Sequence, residues 1–251
     1  MRKKIKKIIL FLILAVFLIV LTVVLFTIFF DQAVITRRDT IYHVPSSEKV
    51  VALTFDDGPS LEWTPKILDV LKAGQAKATF FMLGEHVEKY PQVARRVAAE
   101  GHEIGNHTYD HHVLIYYKTE ELEKELKDAQ EAIYKVTGVT TKYFRPPKAW
   151  LTKSEKKDIK RLGYEIILWS LNSKDWVTFD DRYIVKYILR YVHPGDILLF
   201  HDSGGVFKPE GGKRKETVSA VKRLIEKLRE RGYRFVTISE LLEVQKKNEK
   251  K

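Results

Sequence analysis

The chain has 251 residues, 45% of them hydrophobic, which suits one large domain with its own core. It contains no cysteine, which excludes a disulfide scaffold, a thiolate metal site and a cysteine nucleophile. The net charge of +11 does not point to nucleic acid: five positive charges fall in the first seven residues, and the +6 that remains is interleaved with glutamates, as on solvated helix faces.

The N-terminus comes first. Residues 1–7 form a basic flank, and residues 8–30 then give 23 positions without a charge. As a helix that run is about 34 Å long at ~1.5 Å per residue, enough to cross a hydrocarbon core of roughly 30 Å. The basic flank should stay in the cytoplasm, which puts the remaining chain outside. A cleaved signal peptide is the competing reading, and it would make the protein secreted; its apolar core is shorter, about 7–15 residues, and ends at small residues. Here Asp31-Gln32-Ala33 has an acid where a small residue is wanted. The reading adopted is a single-pass anchor at 8–30 in the cell membrane. Residues 31–48, with Arg37, Arg38, Pro45 and paired serines, read as a linker, 49–244 as the domain, and 245–251 as a frayed basic tail.

Strand and helix alternate from residue 50 onward. Strands are predicted at 50–55, 77–83, 102–105, 142–145, 164–169, 196–201 and 234–238. Helices are predicted at 65–73, capped by Thr64 and stopped by Gly74, at 92–100 before Gly101, and at 120–136 before Gly138. The capping box Thr152-x-x-Glu155 opens another that ends near Gly163, and two more follow at 181–191 and 216–231. Asp180-Asp181 reads as a charge pair at a helix N-terminus. Seven alternations predict a distorted (β/α)7 barrel of the TIM type, one strand short of eight, behind a single transmembrane helix.

Polar clusters recur at the predicted strand tips, the face where such barrels carry active sites. Asp56-Asp57 ends the first strand, and alternation would turn the two acids to opposite sides, one for a metal and one for a proton. His107 and His111 follow the third strand, four residues apart as on one helical turn, and with Asp57 they make a two-histidine, one-carboxylate set. Zinc suits such ligands best, and cobalt, nickel or other divalent ions can also use them. Surface hydrogen bonding is the plain alternative for an isolated His-x-x-x-His. His86, His102 and His112 read as structural. Arg145-Pro146-Pro147, Asp175-Trp176 and His201-Asp202 complete the rim.

With these motifs together, residues 50–242 resemble the NodB-homology polysaccharide deacetylases, carbohydrate esterase family 4. Thr54-Phe55-Asp56-Asp57-Gly58-Pro59 matches the first motif of that family and His107-Thr108-Tyr109-Asp110-His111 the second. Phe144-Arg145-Pro146-Pro147 matches the start of the third, Asp175-Trp176 the fourth, and Leu199-Phe200-His201-Asp202 the fifth. The resemblance implies a hydrolase of linear amide C–N bonds, in which Asp57, His107 and His111 hold the metal. It implies Asp56 as general base, oriented by Arg145, and His201 as general acid, held by Asp175. It also implies an oxyanion donor in the Lys148 N–H, and Pro147, Lys148, Trp150, Trp176 and Leu199 as substrate-contacting positions. Asp202 is expected to support its loop.

Two departures from the pattern stand out. Lys148-Ala149-Trp150 replaces the usual aromatic residue and glycine, and Asn172 stands where aspartate is common. Trp150 is then either a sugar-stacking surface or a filler, and Trp176 either packs beside His201 or meets sugar. The anchor makes peptidoglycan the expected substrate. Exported poly-N-acetylglucosamine or chitin-like polymer, O-acetylated xylan, and a non-catalytic wall-binding role are the alternatives. Oligomeric state is not legible.

Overall fold

The apolar N-terminal run is one helix, α1 (Arg2–Phe29), in which Lys4–Thr22 has a mean hydropathy of 2.7. By length and composition it can cross a membrane. The computed structural model describes residues 2–29, 31, 33–204 and 211–248. Met1 of the basic flank, Phe30 of the apolar run, Gln32 of the candidate cleavage site and residues 249–251 of the tail lie outside these.

Among the described residues, eight strand segments form one parallel sheet: β1 (Val50–Gly58), β2 (Thr79–Met82), β3 (Glu103–Asn106), β4 (Tyr143–Phe144), β5 (Glu165–Ile166), β6 (Leu171–Asn172), β7 (Ile197–His201) and β8 (Arg234–Val236). The order is β5-β4-β3-β2-β1-β7-β6, with β8 paired to the first residues of β1. β5 lies within the strand predicted at 164–169, and β6 falls beyond its predicted end, on a run of chain that reaches Asn172. β5 pairs with β4 and β6 with β7, so one bent run joins the two ends of the sheet. The curled sheet is the expected (β/α)7 fold.

Part of the chain expected as a linker fills the missing eighth place. Ile41 N–H donates to Ile166 O (2.9 Å), Leu168 N–H to Ile41 O (2.7 Å) and Val44 N–H to Gly195 O (3.0 Å). A Cβ on Gly195 would stand 1.8 Å from Val44 O, and its φ is +89°, so only glycine permits this approach. Polar composition hid this docking, because the segment's partners are main-chain groups of the barrel: Arg37 donates to Trp169 O (3.1 Å) and Ser170 O (3.2 Å).

The helices are α2 (Ala33–Thr36), α3 (Trp63–Ala73), α4 (Gly84–Lys89), α5 (Pro91–Ala99), α6 (Thr119–Thr137), α7 (Lys153–Arg161), α8 (Asp181–Tyr191), α9 (Lys215–Glu230) and α10 (Ile238–Asn248). α2, α4 and α10 were not predicted, and α10 takes in residues 245–248 of the expected tail. Thr64 does not cap α3: Ser60 Oγ accepts from the N–H groups of Trp63 (3.0 Å) and Thr64 (3.2 Å), which leaves the Thr64 hydroxyl for another partner. The Thr152–Glu155 capping box forms as predicted.

Strand alternation sorts the core. Val51, Leu53 and Phe55 of β1, with Leu198 and Phe200 of β7, face the outer helices and pack among Ile67, Leu71, Leu224 and Leu228. Val50 and Ala52, with Ile197 and Leu199, face the barrel interior beside Phe81 and Trp169. The interior parity, carried on through Thr54 in β1 and one step past Leu199 in β7, reaches Asp56 and His201.

Candidate active site

Asp56 and His201 are register partners on β1 and β7, so strand pairing sets them side by side. His107 and Arg145 follow β3 and β4 at the same interior parity, and Arg145 N–H donates to Asn106 O (3.0 Å). Asp57 breaks the alternation. Its φ is +71° and the β1–β2 register shifts between Asp56 and Gly58, so this bulge redirects a side chain that regular alternation would send outward. The two acids therefore do not lie on opposite sides as alternation predicts: both reach His107 Nε2, at 3.9 Å from Asp56 Oδ2 and 3.3 Å from Asp57 Oδ1.

The histidine pair also differs from expectation. Residues 107–113 are not helical, and Thr108 and His111 have φ values of +74° and +68°. The loop, held by Thr108 N–H on Asn106 Oδ1 (2.9 Å) and His111 N–H on Thr108 Oγ1 (3.1 Å), brings the rings together. His107 Nε2 and His111 Nε2 lie 3.3 and 3.2 Å from Asp57 Oδ1.

These residues fit a divalent ion. Ligands about 2.0–2.2 Å from a tetrahedral zinc stand about 3.3–3.5 Å apart, close to the spacings found. His107 Nδ1 lies 2.7 Å from Arg145 O, so in the neutral ring that nitrogen carries the hydrogen and Nε2 turns a lone pair toward a carboxylate oxygen. A cation between them resolves that opposition. Burial alone would raise the Asp57 carboxyl, but the charge of His111 and contacts with both imidazoles hold it well below the usual carboxylate range. His86 Nδ1, 2.7 Å from Asp57 O, fixes the main chain of the same residue.

Arg145 is fully buried. It donates from Nη1 to Asp56 Oδ1 (2.7 Å) and Thr54 Oγ1 (2.7 Å), and from Nε and Nη2 to Ile167 O and Leu168 O. The Phe81 ring lies 4.1 Å from its guanidinium carbon. Asp56 Oδ2 is left on the side of the metal set, 3.9 Å from His107 Nε2.

Across the site, His201 Nδ1 lies 2.8 Å from Asp175 Oδ1. Asp175 Oδ2 accepts from His201 N–H (2.9 Å) and the Thr217 hydroxyl (2.8 Å). Burial would lower the His201 imidazole, but the charge and hydrogen bond of Asp175 outweigh it and raise it. Asp175 is itself lowered: burial opposes, and the charge and hydrogen bond of His201 prevail.

Comparison with known proteins decides what this constellation belongs to. The Polysaccharide deacetylase family profile matches residues 43–167. A peptidoglycan-N-acetylglucosamine deacetylase of Bacillus cereus is 38% identical over 203 residues, covering 80% of this chain and 92% of that protein. The chain belongs to the polysaccharide deacetylase family. The peptidoglycan-N-acetylmuramic acid deacetylase PdaA of Bacillus subtilis is 33% identical, covering 84% of this chain and 78% of that one. The crystal structure of the Bc1960 peptidoglycan N-acetylglucosamine deacetylase superposes with a TM-score of 0.77 at 36% identity, covering 81% of this chain and 92% of that one. The protein is thus a hydrolase of carbohydrate esterase family 4, within its peptidoglycan N-deacetylases.

The remaining sequence-predicted positions of this deacetylase divide. Pro147 and Ala149 are buried in a short turn, Pro147–Ala149, while Lys148 is exposed. The turn's own bonds run from Ala149 N–H to Pro146 O (3.0 Å) and Trp150 N–H to Pro147 O (3.3 Å), and the Lys148 N–H takes no part in them. Trp150 is 41% exposed, as a contact surface requires. Trp176 is half-buried next to Asp175, and Leu199 is a core residue beside Phe81 and Ala149. Asn172 accepts the Lys174 N–H through Oδ1 (2.9 Å), a bond that needs only an acceptor.

Sequence reasoning missed several supports. Thr54 was findable, since it shares the parity of Asp56. Arg214, buried and donating to Ser203 O (2.8 Å) and Gly204 O (2.6 Å), and Thr217 belong to the start of α9, far along the chain, with no local signal. Asp202 does support its loop: its carbonyl accepts from Ser60 Oγ (2.6 Å) and its carboxyl from the Thr64 hydroxyl (2.5 Å). Burial, with Asp57 and Asp56 adding to it, pushes that carboxyl up to about 7 against the opposing Thr64 bond.

Proposed function

We propose that this deacetylase is metal-dependent and removes N-acetyl groups from peptidoglycan outside the cell, anchored in the membrane by α1. One observation carries the chemistry: two imidazole nitrogens converge on Asp57 Oδ1 between an arginine-held aspartate and an aspartate-held histidine. Asp57, His107 and His111 hold the ion, and a nitrogen–oxygen ligand set of this kind favours zinc, with cobalt or nickel able to replace it. When bound, such an ion supplies Lewis acidity, which polarises a carbonyl and makes water easier to deprotonate.

The chain's own groups do the rest. Asp56 has one oxygen occupied by Arg145, so Oδ2 takes the proton from the attacking water. The Lys148 N–H donates to the acetamide oxygen as it gains charge. His201, with Nδ1 turned to Asp175, hands the proton on Nε2 to the departing amine. Pro147, Trp150, Trp176 and Leu199 border the acyl and sugar sites. The relatives described above are named for N-acetylglucosamine or N-acetylmuramic acid, and both sugars offer the same acetamide to these groups.

The test is acetate release from purified peptidoglycan by the full chain in detergent. Release should stop with chelator and return with zinc. Release that ignores chelator would remove the metal from the reading. Hydrolysis of chitin oligomers without any release from peptidoglycan would remove the substrate.

A further inference from the structure

The turn that presents Lys148 is unusual in its backbone. Lys148 and Ala149 follow one another with φ values of +55° and +59°, a region that side-chain-bearing residues seldom enter, least of all in succession. Something outside the turn must hold it there. The segment packed against it is α2, and Ala33 and Ala149, both fully buried, belong to one apolar cluster with Leu168 and Trp169.

A helix of four residues does not persist alone, and α2 is fastened on both sides of the turn. Trp169 Nε1 donates to the Asp31 carboxylate (3.0 and 3.1 Å), and Arg37 returns two bonds to Trp169 O and Ser170 O. Lys156, buried in the first turns of α7, donates to Thr36 O (2.7 Å) and Arg38 O (2.6 Å). Arg145, two residues before Pro147, meanwhile holds both Asp56 and, through its carbonyl, His107. The turn is thus gripped from the metal side by β4 and from the other side by the chain leaving α1.

We propose that α2 is the buttress of the Pro147–Ala149 turn, and that Ala33 is a positioning residue: buried in one apolar cluster with Ala149, it keeps the backbone left-handed and the Lys148 N–H in place for the substrate carbonyl. The inference rests on the oxyanion role given to that N–H above. It assigns a catalytic consequence to a segment whose composition reads as a tether.

The experiment compares the full chain in detergent with Ala33→Leu, Lys156→Met and Lys156→Arg. Ala33→Leu should lower kcat about ten- to a hundredfold, as for a misplaced donor, while KM and zinc content stay within twofold. Lys156→Met should lower kcat less, and Lys156→Arg should restore most of it. Amide hydrogen exchange at residues 148–150 should quicken in Ala33→Leu and Lys156→Met, with that at 107–111 unchanged. If Ala33→Leu does not fold, Lys156→Met and its arginine rescue decide. Folded, zinc-loaded variants with wild-type kcat and unchanged exchange at 148–150 would overturn the proposal. A wild-type chain that releases no acetate would defeat the functional reading instead, and the exchange data would still say whether α2 holds the turn.

Discussion

Asp56 and His201 face each other across one strand pairing, yet they are secured by different parts of the molecule. Asp56 is held from inside the barrel, by an arginine with no exposed surface whose other bonds go to Thr54 and to carbonyls of Ile167 and Leu168. His201 is held from the rim, by Asp175, which leans on Thr217 at the start of α9. Both contacts are buried, with no side-chain exposure at Arg145 or at Asp175, but Arg145 keeps its charge in any surroundings, whereas His201 can shed its own once Asp175 is neutralised. The base side therefore couples catalysis to folding more tightly than the acid side.

Arg145→Met should test that contrast most severely. It leaves Asp56 buried without its partner, and a loss of about 3–5 kcal/mol in unfolding free energy is expected, along with activity. A denaturant melt close to wild type would erase the distinction. Asp175→Asn keeps the shape of a buried residue, so it should cost less stability than Arg145→Met but lower kcat by about 10²–10⁴. The carboxylate raises His201, so the acid stays protonated to higher pH; without it, burial prevails and the alkaline limb of the pH–rate profile moves to lower pH. An unmoved limb would take Asp175 out of that role.

A third prediction concerns Asp202, which belongs to neither side and whose effect appears only as a change with pH. Its carboxyl sits at about 7 in the folded chain against an ordinary 3.8. Between these values the unfolded chain loses the proton and the folded one keeps it, so stability falls as pH rises through that window and is level above it. The full difference is of order 4 kcal/mol. Asp202→Asn removes this slope, so its urea-melt advantage over wild type should grow from pH 4.5 to pH 7.5, values about either side of the window. An equal difference at both would refute the shift.

Legibility in the sequence followed the range of the interactions. β1 and β7 could be read because alternation alone carries the interior parity from Val50 and Ile197 to Asp56 and His201. Asp57 and the His107–His111 loop could be assigned a partner but not a path, since their positive φ values depend on a bulge and on Asn106 and Thr108 bonds. The docking of 33–44 left no local mark, because Lys156, Trp169 and Gly195 lie more than a hundred positions away. α10 was missed for a related reason: its apolar positions Leu241 and Val244 are buried by the barrel floor, while its lysines make the segment look like a tail.

The bond from Trp169 to Asp31 also sets a length. α1 ends at Phe29, and two residues span at most about 7 Å. With α1 in a bilayer, that leaves no slack for the catalytic mouth to roam. An enzyme anchored in this way would not search the wall; it would work at a fixed altitude, and the polymer would have to be delivered past it. Its output would then scale with its density in the membrane and with the passage of new strands, more than with the total glycan beyond its reach.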